Sequence, residues 1–127
     1  MPPVSDRKAM LAGMTPRLDP RGWTFVVSED PALVEQALGT FREDEGLSLI
    51  LPEEANAGGL PMSRITLGVT SSLMGVGLTA AVSTALAEAG IACNVVAAYH
   101  HDHLFVPEDR AAEAMAILQD LSRAAQG

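Results

Sequence analysis

The chain has 127 residues, 48% of them hydrophobic and 19% charged, with 8 basic against 16 acidic side chains for a net charge of −8. That composition supplies one compact core, or two small units fused around one core, and it argues against nucleic acid or an anionic membrane as partner, because both require a basic face. The single cysteine excludes an intramolecular disulfide and a paired-cysteine zinc motif; the opening MPPVSDRKAM lacks an apolar signal core, and no apolar run approaches the roughly 20 residues needed to span a bilayer, so a cytoplasmic protein is expected.

Residues 7–14, RKAMLAGM, have the composition of a short amphipathic helix, and the TPRLDPRG that follows is turn-rich and partly extended. WTFVVS, Trp23–Ser28, is β-branched and aromatic and reads as a strand. Asp30 then supplies an N-cap and Pro31 a first helical residue, for a helix to about Leu38 with Val34, Ala37 and Leu38 on its apolar side. LSLIL, Leu47–Leu51, is the next strand, and PEEANAGG is a short helical turn stopped by Gly58-Gly59.

The second half has clearer periodicity. In RITLGVT, Ile65, Leu67 and Val69 alternate with Arg64, Thr66, Gly68 and Thr70, the pattern of a half-buried strand. After the loop SSLMG, the residues Leu78, Val82, Ala85, Leu86 and Ala89 fall at helical spacing. Gly90 sits where a left-handed C-terminal residue is wanted. IACNVVAA is a strand, YHHD turns the chain, and HLFV returns as its antiparallel partner. Pro107, Glu108 and Asp109 open the last helix, where early acids suit the dipole, and Ala114, Ile117, Leu118 and Leu121 line its buried stripe.

The order β-α-β-β-α in this half predicts an α+β, ferredoxin-like βαββαβ plan: an antiparallel sheet with helices mainly on one face. The first half reads as a degenerate copy, with no repeat visible at the level of residue identity. The expected units are 1–60 and 61–127. The strand missing from the second is expected from the first half, which would interlock the two.

Several groups carry possible chemistry. In the loop Thr70, Ser71, Ser72, Leu73, Met74, Gly75, Val76, Gly77, Leu78, Thr79, the glycines allow close backbone approach. The helix start offers free N–H groups and partial positive charge, and Ser71, Ser72 and Thr79 add hydroxyls. This suits a carboxylate, and it equally suits a plain strand-to-helix turn with hydroxyl caps. The G-x-G-x-x-A within it lacks the acid at the end of the next strand that a dinucleotide site requires. The histidines His100, His101 and His103 lie beside Asp102. A metal needs three or four converging ligands, whereas on an extended chain His101 and His103 share one face and His100 and Asp102 the other. A polar hairpin is therefore expected, with no metal and no cofactor; a metal-binding protein or metal-dependent enzyme centred on His100–His103 is the alternative. Cys93 lies in an apolar strand and reads as a small buried side chain, not a nucleophile. Asn94 faces away from Ile91, Cys93 and Val95, either bonded to backbone or contacting a ligand. The acidic run REDEG, Arg42–Gly46, reads as a solvated turn.

GLTAAVSTALAEAGI, Gly77–Ile91, resembles the first helix of an ACT domain, most closely those of aspartate kinase regulatory domains. With FREDEGLSLIL and the run continuing to FVP at Phe105–Pro107, the chain is similar to small stand-alone proteins built as two ACT-like units. The resemblance implies a non-catalytic regulatory protein that binds an amino acid or similar small metabolite, as a homodimer. It implies ligand contacts at Thr70, Ser71, Ser72, Gly75, Val76, Gly77, Leu78, Thr79 and Asn94, with Glu43 or Glu45 meeting an ammonium if the units pack pseudo-symmetrically. Two positions depart from the family pattern: the loop carries no acid, and Ala92 stands where asparagine often follows the glycine-isoleucine pair.

Overall fold

In the computed structural model, which describes residues 6–70 and 72–127, six strands form one sheet. The strands are β1 (Pro16–Val27), β2 (Gly39–Glu43), β3 (Gly46–Pro52), β4 (Met62–Leu67), β5 (Asn94–Ala97) and β6 (Asp102–Pro107). The helices are α1 (Arg7–Ala12), α2 (Pro31–Gln36), α3 (Leu78–Glu88) and α4 (Ala111–Gln126), with single 3-10 turns at Glu53–Ala55 and Glu108–Arg110. The order across the sheet is β2-β3-β1-β4-β6-β5, and every neighbouring pair is antiparallel.

That order reads the same from both edges, with a pseudo-twofold axis at the β1–β4 seam. Trp23 pairs with Met62 across the seam, and the two pair outward with Pro52 and Pro107 respectively. The paths β1-α2-β2-β3 and β4-α3-β5-β6 are therefore equivalent. Each path takes the other's first strand as its fourth, and β1 is the strand that completes the second half. The axis exposes a repeat that the sequence alone did not reveal: Leu49-Ile-Leu-Pro-Glu-Glu54 and Leu104-Phe-Val-Pro-Glu-Asp109 occupy equivalent places. Glu53 and Glu108 reach toward each other over Gly22, in space that a Cβ there would need. The hydrogen bond from Glu108, and its charge, raise the Glu53 pKa.

The main core lies on one face of the sheet. Ile65 and Leu67 of β4 and Leu104 and Val106 of β6 meet Met10 and Leu11 of α1, Leu78, Val82 and Leu86 of α3, and Ala114 and Leu118 of α4. Each fully buried leucine or isoleucine contributes about 1.5–3 kcal/mol. On the opposite face Trp23, Met62 and Phe105 form a smaller cluster, with Ile50 and Val96 against it. Phe25 packs edge-on against Phe105, at 5.1 Å between centroids, yet stays 41% exposed.

Two elements depart from the sequence reading. The turn-rich TPRLDPRG is the first half of β1, because its pairing with β4 shifts register between Leu18 and Gly22 and so accommodates Pro20, which has no N–H to donate. Asp19 holds this irregularity. Its carboxylate accepts the Arg21 amide (2.9 Å), the Trp23 indole N–H (3.0 Å) and two Arg64 guanidinium N–H groups (3.1 and 2.8 Å). The Arg21 and Arg64 guanidinium groups both lie over the Trp23 ring, 5.0 and 5.2 Å from its centroid. The second departure is β2. Residues 39–41 were assigned to no element and Arg42–Gly46 was read as a solvated turn, whereas Gly39–Glu43 pairs with β3. An edge strand needs no alternation, because neither face of it must be buried.

Burial of Asp19 opposes its charge, but the hydrogen bonds from Arg21, Trp23 and Arg64 outweigh that and hold its pKa below the usual carboxylate value. With the folded pKa depressed, the stabilisation is present above the unfolded pKa and is lost as pH falls through the folded one. Asp19→Ala is expected to lower stability by about 1–3 kcal/mol at neutral pH. The gap from wild type should close in acid. Urea unfolding of both proteins across pH checks this; a gap that does not change with pH would contradict it.

Candidate functional site

The helices begin in different ways. Asp6 caps α1 by accepting the Ala9 amide at 2.9 Å. Asp30 caps α2 by accepting the Ala32 amide at 3.0 Å, and Pro31 leaves no N–H at the first position. At α3 the cap is Gly77, at φ +106°, and no side chain bonds to the first-turn amides. Only glycine takes that φ without strain, and a Cβ there would strike the Arg7 stem.

A concavity of about 130 Å³ opens at this helix start. The loop supplies Ser72, Leu73, Gly75 and Gly77, the helix Leu78 and Thr79, α1 Met10, and the β5–β6 hairpin Ala97, Ala98 and Asp102. The loop is held by the Gly75 amide on the Ser72 carbonyl (2.9 Å) and the Met74 amide on the Ser72 hydroxyl (3.1 Å). A helix start without a side-chain cap presents N–H donors and positive potential to an anionic group.

The residues singled out from the sequence are distributed unevenly. Ser72, Gly75, Gly77, Leu78 and Thr79 line one concavity. Leu78 is buried and also belongs to the core. Thr70 is half-buried just before the loop, Val76 is 80% exposed and outside the lining, and Ser71 lies outside the described residues. Asn94 donates to the Phe105 carbonyl at 3.3 Å and lines a different groove, on the helix-free face, with Phe25, Leu60 and Met62. Glu43 accepts from the Ser48 hydroxyl at 2.5 Å, and Glu45 is exposed in the turn after it. Both sit at the β2 edge, with four strands between it and β5.

Asp102 was read as a turn residue and weighed beside the histidines as a metal ligand, not as part of the loop site. It opens β6, is 9% exposed and lines the loop concavity. Its signal was present in the alternation: Asp102, Leu104 and Val106 share the inward face of β6, as period two requires.

The histidines do not converge. The His100 and His101 rings are 6.3 Å apart in the hairpin. His103 turns to the helix-free face, where its Nδ1 is 3.0 Å from the Thr66 hydroxyl. Among the described residues no group of three or more His, Cys, Asp or Glu side chains is placed to hold a metal ion. Burial pushes the Cys93 thiol up, which suppresses its thiolate. Among the described residues no helix is long and apolar enough to cross a membrane.

The antiparallel sheet and the two interlocked βαββ paths define an α+β module built on the ferredoxin-like plan. The comparisons name the family. One ACT-domain model matches residues 62–120 and a second ACT-domain model matches residues 2–66, and the chain belongs to the ACT-domain family. It is 38% identical to a Vibrio cholerae protein of unknown function described as a possible transport protein, covering 91% of this chain and 94% of that one at a TM-score of 0.79. It shares its fold with the regulatory subunit of aspartate kinase from Thermus thermophilus, at 10% identity, 86% and 97% coverage and a TM-score of 0.61. An Agrobacterium tumefaciens protein is similar at 18% identity, 80% and 82% coverage and a TM-score of 0.63. Among curated proteins none matches the chain.

Burial, then the charges of Arg64 and His101, lower the His103 pKa below its ordinary 6.5, against an opposing pull from Asp102. His103 is therefore expected to titrate below an exposed imidazole. Arg64→Gln should move it upward. Imidazole NMR titration of the two proteins measures both, and an unchanged His103 midpoint in the variant would show that Arg64 exerts no such influence.

Proposed function

We propose that this protein is a non-catalytic sensor that binds an amino acid or similar small zwitterion or anion at the start of α3. The supporting observation is the contrast among helix starts. Aspartates occupy the starts of α1 and α2, and α4, which also lacks a side-chain cap, continues from the 3-10 turn Glu108–Arg110, whereas α3 begins at a bare glycine beside a concavity lined by Ser72, Gly75 and Thr79. The ligand carboxylate takes the place of the missing cap, accepting from the first amides of α3. Thr79 and Ser72 provide hydroxyls for its remaining lone pairs. The contact residues lie in the segment 70–79, and Asn94, Glu43 and Glu45 act elsewhere.

The two units, about 1–60 and 61–127, share one sheet, but only the second carries this site. In the first, Asp30 and Pro31 fill the equivalent position. The protein works in the cytoplasm as a homodimer, and effector binding changes what the dimer presents to a regulated partner. Family membership and the fold shared with a kinase regulatory subunit support this reading.

The test is a thermal-shift screen of the common amino acids, followed by calorimetry on variants, since a ligand that binds only the folded state raises its stability. Gly75→Val places its side chain against Met10 and the Ser72 carbonyl and narrows the concavity. It is expected to weaken the effector at least tenfold, about 1.4 kcal/mol, whereas Asn94→Ala leaves affinity unchanged. An effector held equally by wild type and Gly75→Val, and lost in Asn94→Ala, would move the site to the helix-free face.

A further inference from the structure

Acidic side chains outnumber basic ones 16 to 8, and Arg21, Arg42, Arg110 and Arg123 each sit beside a carboxylate. The helix-free face breaks this pattern beside the first half of β1. Arg17 lies opposite Thr66 across the β1–β4 ladder, and Thr66 lies opposite His103 across the next. Residues directly opposite one another share a face, so the three form one row, and Arg64 is on the same face two residues along β4. A concavity of about 300 Å³ opens here, lined by Arg17, Leu18, Asp19, Pro20, Arg64 and Thr66. Arg17 has no carboxylate partner among the described residues. Asp19, the carboxylate in the lining, is already committed. Its Oδ1 accepts the Arg21 amide, and its Oδ2 accepts the Trp23 indole and the Nε and Nη2 groups of Arg64. The Arg64 Nη1 group is left without a hydrogen bond among the described residues, on a guanidinium already fixed by Asp19 and by the Trp23 ring beneath it.

We propose that this concavity is a second ligand site, on the face of the sheet opposite α3, and that it takes a phosphate-type oxyanion: free phosphate or the end group of a small phosphomonoester. It does not depend on the effector reading, since it uses other residues. Donors reach the space from two strands, Arg17 from β1 and the Arg64 Nη1 group and Thr66 hydroxyl from β4. A planar carboxylate presents its oxygens in one plane, whereas a phosphate group spreads three strong acceptor oxygens and accepts the directed N–H pairs of guanidinium groups. Leu18 and Pro20 supply an apolar wall for whatever carries the phosphate. The site also has a built-in reporter. The Thr66 hydroxyl is 3.0 Å from His103 Nδ1. When His103 donates from that nitrogen, the hydroxyl proton is free to turn to the anion, and in the imidazolium both ring nitrogens are donors. Anion binding and His103 protonation therefore favour each other. The other charged groups acting on His103 are Arg64 and His101, which oppose its protonation, and Asp102, which favours it.

The experiment is NMR titration of the full chain at low ionic strength with inorganic phosphate, phenyl phosphate and acetate, read at the backbone amides and the imidazoles. Phosphate is expected to saturate, to shift Arg17, Arg64 and Thr66, and to raise the His103 midpoint. Arg17→Gln removes a side chain that has no ion pair to lose, and it should lower phosphate affinity about tenfold. Thr66→Val should weaken phosphate and shrink the His103 response. Arg42→Gln, an equal loss of charge at the β2 edge, should leave the affinity unchanged. Tighter binding of phenyl phosphate than of phosphate assigns the site to a phosphomonoester, and the reverse assigns it to the free ion. No saturable shift with either probe, acetate held as tightly as phosphate, or equal losses in Arg17→Gln and Arg42→Gln would each overturn the proposal. Phosphate shifts confined to Gly77, Leu78 and Thr79 and removed by Gly75→Val would also overturn it, while leaving the effector reading in place. An amino acid bound at the start of α3 with no phosphate response on the helix-free face does the same.

Discussion

Neither half of this chain completes its sheet alone, because β1 and β4 each serve as first strand of one βαββ path and last strand of the other. The Trp23–Met62 pairing at the seam is therefore the contact on which both halves depend. It lies in the small core with Phe105 on the helix-free face, and the Asp19 network fixes the register on one side of it. An Arg64–Asp19 pair with side chains 22% and 12% exposed costs more to desolvate than a surface pair. It is retained in an environment where its breakage leaves a charge without compensation. The seam also sets the position of everything on the second half, since β4 leads directly into the loop before α3.

Shared topology has not kept the two halves alike. The first has a three-residue passage from β1 to a six-residue helix with its own aspartate cap. The second has a ten-residue passage to an eleven-residue helix with none. A side-chain carboxylate caps the helix at one pseudo-equivalent position, and no side chain caps it at the other. The same divergence appears at the edges, with β2 charged and β5 uncharged. The Glu53–Glu108 meeting over Gly22 shows where the symmetry persists most closely.

Much of the second half was legible because its periodicities are strong. Ile65 and Leu67 alternate, Val82 and Leu86 fall on one helical stripe, and each is fully buried. The loop at Gly75 and Gly77 was legible because glycine before an apolar helical run has a specific conformational meaning. The grouping of the site was less so. Asn94 is only a few residues from Ala97, yet strand alternation and a pocket at the opposite end of the strand separate them, and sequence distance carries no information on that. Met10 reaches the concavity from a helix far earlier in the chain, through contacts that only the fold creates. β2 was missed because an exposed edge strand leaves no burial pattern, and the first half of β1 because Pro20 and Asp19 ordinarily signal a turn.

The central claim is that the open start of α3 receives the carboxylate of a small molecule. Backbone amide NMR during titration with an amino acid selected by thermal shift tests it most directly. The account predicts the largest shifts at Gly77, Leu78 and Thr79, with the amides of Asp30, Ala32 and Leu33 at the start of α2 unmoved. Shifts centred on Phe25, Leu60 and Asn94, or equal at the two helix starts, would contradict it.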